Sequence, residues 1–99
     1  MARPQKLSEE EIRSRLQQVA GWEIAAGKLH REFRFDDFVT AFGFMTSLAL
    51  RAEAKNHHPE WFNVYNRVVI DLTTHDAGGI TVLDFELAAA ANELATSRD

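Results

Sequence analysis

The sequence predicts an α+β domain, a four-stranded antiparallel sheet with three helices packed on one face, in the order helix, two strands, helix, two strands, helix. Three observations carry that prediction. Runs with apolar alternation come in pairs separated by only a few turn residues, as hairpins require. Three further stretches carry helical periodicity, and each needs a sheet face to bury its apolar stripe. The length of 99 residues fits one domain, 1–99, around a single core.

The first helix is read from "LSEEEIRSRLQQVAGW". Ser8 and Glu11 have capping-box spacing, acids crowd the first turn, and Ile12, Leu16 and Val19 form the stripe that Gly21 ends. Trp22 and Ile24 suggest a short strand, "AAGK" a turn, and "LHREFRF" a second strand. On that strand Leu29, Arg31, Phe33 and Phe35 face inward, with Arg31 at the rim, and His30, Glu32 and Arg34 face outward. Asp36 or Asp37 caps a long helix reaching about Asn56, with Phe38, Ala41, Phe42, Met45, Leu48, Ala49 and Ala52 toward the sheet. A second apolar set, Val39, Gly43, Leu50 and Ala54, points to self-association or a partner helix.

Pro59 forbids continuation of the helix and biases His58 toward an extended conformation. "WFNVY" and "RVVIDLTTH" read as strands joined by a tight turn at Asn66-Arg67. Val68, Ile70, Leu72 and Thr74 share one face of the last strand, and Val69, Asp71, Thr73 and His75 share the other. "DAGG" is a loop, and Thr81 with Asp84 marks the start of a helix running to about Ala95.

Composition narrows the functional classes. Apolar residues make up 45% and charged residues 26%, an ordinary soluble balance, and the net charge of −4 comes with scattered basic residues. That leaves no electrostatic footprint for nucleic acid. No apolar run approaches the ~18 residues of a membrane span, and "MARPQKLSEE" has no signal-peptide stretch, so the expected location is cytoplasmic. Without cysteine there is no disulfide, thiol nucleophile or thiolate metal site.

Chemistry concentrates at "EAKNHHPEW". Adjacent histidines diverge on any regular helix or strand and converge only where the backbone turns, as it must at Pro59. A two-residue turn at Asn66-Arg67 would place His75 opposite His58. Glu53 lies one helical turn before His57, and Asp84 shares the spacing of Leu87, Ala91 and Leu94 and so points inward. Two or three imidazoles with carboxylates to orient them suit acid–base work near neutrality, and Trp61, Phe62 and Tyr65 could wall a planar ring. Blander readings stand beside this one. Each histidine could be a polar surface residue, Glu53 could pair with Lys55 or Arg51, and Asp84 could serve only as the partner of Thr81 in a cap. A three-histidine zinc site is a further alternative, although His-His-Pro is not a usual ligand spacing.

With these residues assembled, the sequence resembles the pterin-4a-carbinolamine dehydratase family. Its pattern is a charged residue, three residues, His-His-Pro, five or six residues, an aromatic, nine residues, a histidine and a later aspartate. Glu53, His57-His58-Pro59, Tyr65, His75 and Asp84 fill it across 32 residues. "LSEEE", "AFGFMTSLAL" and "HHPEWFNVYNRVVIDLTTH" extend the likeness over most of the chain. The resemblance implies dehydration of 4a-hydroxytetrahydropterin to quinonoid dihydropterin, recycling the pterin of aromatic amino acid hydroxylases with no metal or redox cofactor. It implies His57 and His75 as the acid–base pair, His58 on the leaving hydroxyl, and Glu53 and Asp84 orienting imidazoles. Pterin contacts are implied at His57, His58, Pro59, Trp61, Thr74, His75, Asp76 and Ala77. A homo-dimer or homo-tetramer through the long helix and a sheet edge is expected, with dimerisation or coactivator-type binding by the helix surface as the alternative function.

Overall fold

The computed structural model describes residues 4–96; residues 1–3 and 97–99 of the expected 1–99 domain lie outside them. The elements are α1 (Glu9–Leu16), β1 (Glu23–Ala25), β2 (Lys28–Arg34), α2 (Phe38–Ala54), β3 (Glu60–Val64), β4 (Arg67–Leu72), a 3₁₀ turn at His75–Ala77, and α3 (Val82–Thr96). The strands form one antiparallel sheet in the order β1-β2-β4-β3. The α+β architecture is the one the sequence predicts.

Local chemistry fixes each boundary. Ser8 and Glu11 form the reciprocal capping box of α1. The helix ends at Leu16, earlier than the apolar stripe suggested, and Val19 is buried from the turn that follows. Gly21 has φ +85°, and a Cβ there would lie 2.6 Å from the Arg31 guanidinium carbon. Ala26 and Gly27 both have positive φ, as a two-residue hairpin loop of the primed type demands. Asp37, not Asp36, caps α2 by accepting from the Thr40 N–H at 2.8 Å.

The core lies between the inner sheet face and the helices. Leu29, Phe33, Val68, Ile70 and Leu72 meet Phe44, Leu48, Leu87 and Ala88 there. Phe44 packs its ring 4.9 Å from Phe33 and 5.0 Å from Phe35. The buried stripe of α2 is Ala41, Phe44, Leu48 and Ala52. Phe38, Phe42 and Ala49, expected to face the sheet, are exposed instead, and Phe44 takes the central place. The helix is apolar nearly all round, so spacing alone does not fix its phase.

The β3–β4 hairpin also differs from expectation. Its turn is at Tyr65-Asn66, with Val64 paired to Arg67 and Glu60 to Asp71, which shifts the register by two residues. Tyr65 takes φ +51° in that turn. Strand β4 stops at Leu72, Thr74 bridges to Gly79, and His75 enters the 3₁₀ turn rather than ending the strand.

Candidate active site

The corner after α2 is built by a helix-ending motif rather than by proline alone. Asn56 sits in the left-handed region at φ +50°. Its N–H donates to the Glu53 carbonyl at 3.1 Å, and the His57 N–H donates to the Ala52 carbonyl at 3.0 Å. Those two bonds are the Schellman pattern, with Asn in the place usually held by Gly. Pro59 then leads the chain into β3. The two histidines leave this corner in different environments.

His57 turns inward. Its Nε2 lies 2.6 Å from Asp84 Oδ1, with the imidazole 4% and the carboxylate 0% exposed. Asp84 sits at the third position of α3, and its other oxygen accepts from the Thr81 N–H and the Thr74 hydroxyl, both at 2.9 Å. Thr81 Oγ1 accepts from the Leu83 N–H and lies 2.8 Å from Thr74 Oγ1. The same carboxylate therefore caps α3, ties down the segment leading to His75, and accepts the Nε2–H of His57. The cap and the inward-pointing carboxylate were separate readings of Asp84; the fold uses both. The hydrogen bond makes Nε2 the protonated nitrogen of a neutral His57.

His58 turns outward and pairs through Nε2 with Glu53 Oε1 at 2.8 Å, the two side chains 56% and 79% exposed. Glu53 thus reaches His58 rather than the His57 that shares its helix side, while Lys55 and Arg51 pair with Glu86 and Glu93 of α3. His75 is 79% exposed, and its Nε2 lies 3.1 Å from Glu60 Oε2. Glu60, two residues after His58, was not singled out from sequence. Its signal was available in its place at the head of the strand beside His-His-Pro.

The structure therefore joins the corner to the His75 segment by two routes, His57–Asp84–Thr74 inside and Glu60–His75 outside. It does not gather the aromatics. Trp61 pairs with Ile70 on the inner face and Phe62 with Val69 on the outer face. Tyr65 lies at the far end of the strand, about 17 Å along the chain from Glu60 at ~3.3 Å per residue. Asp76 is exposed, and the Ala77 N–H donates to the Thr74 carbonyl. Among the described residues no three histidine, aspartate or glutamate side chains are grouped as metal ligands. A groove of about 530 Å³ between α1, the β1–β2 turn and residues 78–80 contains no histidine.

Comparison with known proteins fixes the family. The sequence model described as pterin 4 alpha carbinolamine dehydratase matches residues 5–94. The chain belongs to that family. Proteins of Solibacter usitatus and Prochlorococcus marinus, both provisionally named pterin-4-alpha-carbinolamine dehydratase, are 67% and 50% identical to it. The alignments cover 91% and 93% of this chain and 95% and 96% of theirs. A crystal structure from Brucella melitensis, described as a transcriptional coactivator/pterin dehydratase, superimposes with a TM-score of 0.88 at 47% identity. That match covers 91% of this chain and 98% of the other. No helix among the described residues is long and apolar enough to cross a membrane.

Proposed function

We propose that the protein is a hydro-lyase that dehydrates 4a-hydroxytetrahydropterin to quinonoid dihydropterin, using histidine as acid and base. The observation that carries this reading is the buried His57–Asp84 pair, tied through Thr74 to the segment bearing His75, in a chain of this family. In the reaction the C4a–O bond breaks with its electron pair going to oxygen, which takes a proton and leaves as water. A ring N–H proton is lost, and its electron pair closes the new double bond. No electrons enter or leave, so two proton transfers complete the step without a redox or metal cofactor.

His57 and His75 act as the acid–base pair, and His58 binds and polarises the leaving hydroxyl. Asp84 fixes the ring plane of His57 and stabilises its imidazolium when it holds the extra proton, and Glu53 orients His58. The pterin lies against His57, His58, Pro59 and Trp61 on one side. On the other it meets the turn formed by Thr74, His75, Asp76 and Ala77. The test is the rate of 4a-hydroxytetrahydropterin dehydration at neutral pH, followed by ultraviolet absorbance. Acceleration is expected from the wild type and its loss from a folded His57→Ala, His75→Ala double variant; no acceleration by the folded wild type defeats the reading.

A second reading concerns assembly. On α2, Val39 is 78% and Leu50 70% exposed, with Phe38 and Phe42 half exposed beside them. We propose that this face and the β3 edge, where Phe62 and Val64 are half exposed, build a homo-dimer or homo-tetramer. A coactivator-type role in binding another protein would draw on the same helix surface, and a stable monomer in solution would favour it.

A further inference from the structure

The outer face of the sheet carries a polar chain that ends on His75. Strand alternation sends Lys28 and His30 of β2, Asp71 of β4 and Glu60 of β3 away from the core. His30 Nδ1 pairs with Asp71 Oδ1 at 2.8 Å. Lys28 reaches past β4, over about two inter-strand spacings of ~4.8 Å each, and its ammonium meets Glu60 Oε1 at 2.6 Å. Glu60 Oε2 takes the Nε2–H of His75 at 3.1 Å. Both oxygens of one carboxylate are therefore engaged, one by a cation rooted two strands away and the other by an imidazole on a three-residue turn.

Half-exposed ion pairs contribute little to stability, so this arrangement has to be judged by what it orients. Lys28, through its hydrogen bond, holds the Glu60 carboxyl below the ordinary carboxylate range against the opposing effect of burial, and the His75 contact adds to this. Glu60 in turn raises the Lys28 ammonium above its ordinary value. Otherwise His75, mostly exposed, would be free to sample several rotamers.

We propose that Glu60 is the positioning residue for His75 and that Lys28 acts by holding Glu60. The inference rests on the reading above that His75 takes part in proton transfer. With Nε2–H committed to Glu60, His75 presents Nδ1 to the pterin, and the ring is held in one orientation before substrate arrives.

The experiment is a cycle of Glu60→Ala, His75→Ala and their double variant in the dehydration assay, with ¹³C relaxation at His75 Cε1 measured in parallel. Glu60→Ala is expected to lower kcat about 10-fold with KM little changed, a part of the ~10²–10⁴-fold that a general acid–base group supplies. The same change should cost nothing further in the His75→Ala background. Glu60→Gln, whose amide oxygen still accepts from Nε2–H, should restore part of the rate. Lys28→Met should lower kcat less, and not at all once Glu60 is alanine. A Glu60→Ala effect that persists in full without His75 overturns the proposal. Should His75→Ala itself keep wild-type turnover, the acid–base reading fails, and relaxation alone decides positioning. A His75 ring that becomes more mobile in Glu60→Ala upholds it, and an unchanged ring overturns it.

Discussion

Asp84 is the side chain on which the interior half of the candidate site depends, because one carboxylate receives the His57 imidazole, the Thr74 hydroxyl and the Thr81 N–H. Asp84→Ala leaves all three donors buried without their acceptor. A buried donor left without a partner costs about 1–3 kcal/mol, against a total stability of roughly 5–15 kcal/mol for a domain of this kind. The urea midpoint of this variant should fall steeply with the slope unchanged. Asp84→Asn separates fold from chemistry. Its amide oxygen can still receive Thr74 and Thr81, but its NH₂ meets Nε2 and forces the opposite tautomer of His57. The expected result is a smaller loss of stability and a kcat lower by about 10²-fold or more. A folded Asp84→Asn variant with wild-type kcat would remove His57 from the mechanism.

Glu60 sets a pH dependence at the same scale. Its carboxyl titrates below the ordinary 4.5, so its contribution is present above that value and is lost as pH falls through the depressed one. Lys28 titrates above its ordinary 10.5, so its side of the pair is present below that value and is lost only as pH rises through the raised one. The melting-temperature difference between wild type and Glu60→Gln should therefore be flat near neutrality and shrink as pH falls below the ordinary 4.5 and through the depressed value. A difference that grows on acidification would show the sign to be wrong.

At the scale of elements, the corner between α2 and β3 shows what the sequence could and could not reveal. Pro59 announced the end of the helix, but the Schellman turn on Asn56 carries the change of direction. Nothing in "KNHHP" distinguishes an Asn that adopts positive φ from one that does not. The capping box at Ser8 and the inward face of β2 were legible because each depends on neighbouring residues only. The phase of α2 and the register of β3–β4 were not. The first needs to know which of several apolar stripes meets Phe33 and Phe35, and the second turns on whether Tyr65 or Asn66 opens the turn. Contacts set by long-range packing, such as Glu60 with His75, were hidden for the same reason. Asn56→Ala should destabilise the domain by about 1 kcal/mol, since a residue with a Cβ and no local hydrogen-bonding group resists the left-handed region, while Asn56→Gly should be near neutral. Pro59→Ala should keep the fold and lower turnover by loosening the corner. Undiminished turnover in a folded Pro59→Ala variant would assign that orientation to the Schellman turn alone.

At the scale of the whole molecule, one surface is at odds with a lone monomer. The outer side of α2 shows Phe38 and Phe42 with rings 5.6 Å apart, flanked by Val39 and, further along, Leu50. The outer sheet face, by contrast, is laced with charge from Lys28 to Arg67. A monomer of this size rarely leaves so many large apolar side chains together in water, whereas a helix packed against its own copy buries them symmetrically. Wild type is therefore expected to run as a dimer or tetramer by light scattering. Phe42→Glu with Leu50→Glu places like charges on that face and should shift the mass toward monomer while the far-ultraviolet circular dichroism stays unchanged. Phe42 and Leu50 are exposed on α2 and neither is among the residues assigned to the pterin, so a site complete within one chain predicts that the monomeric variant retains turnover. Loss of turnover together with assembly would mean that a neighbouring copy completes the site. A wild type that is monomeric at every concentration tested would leave the helix face to a partner of a different kind.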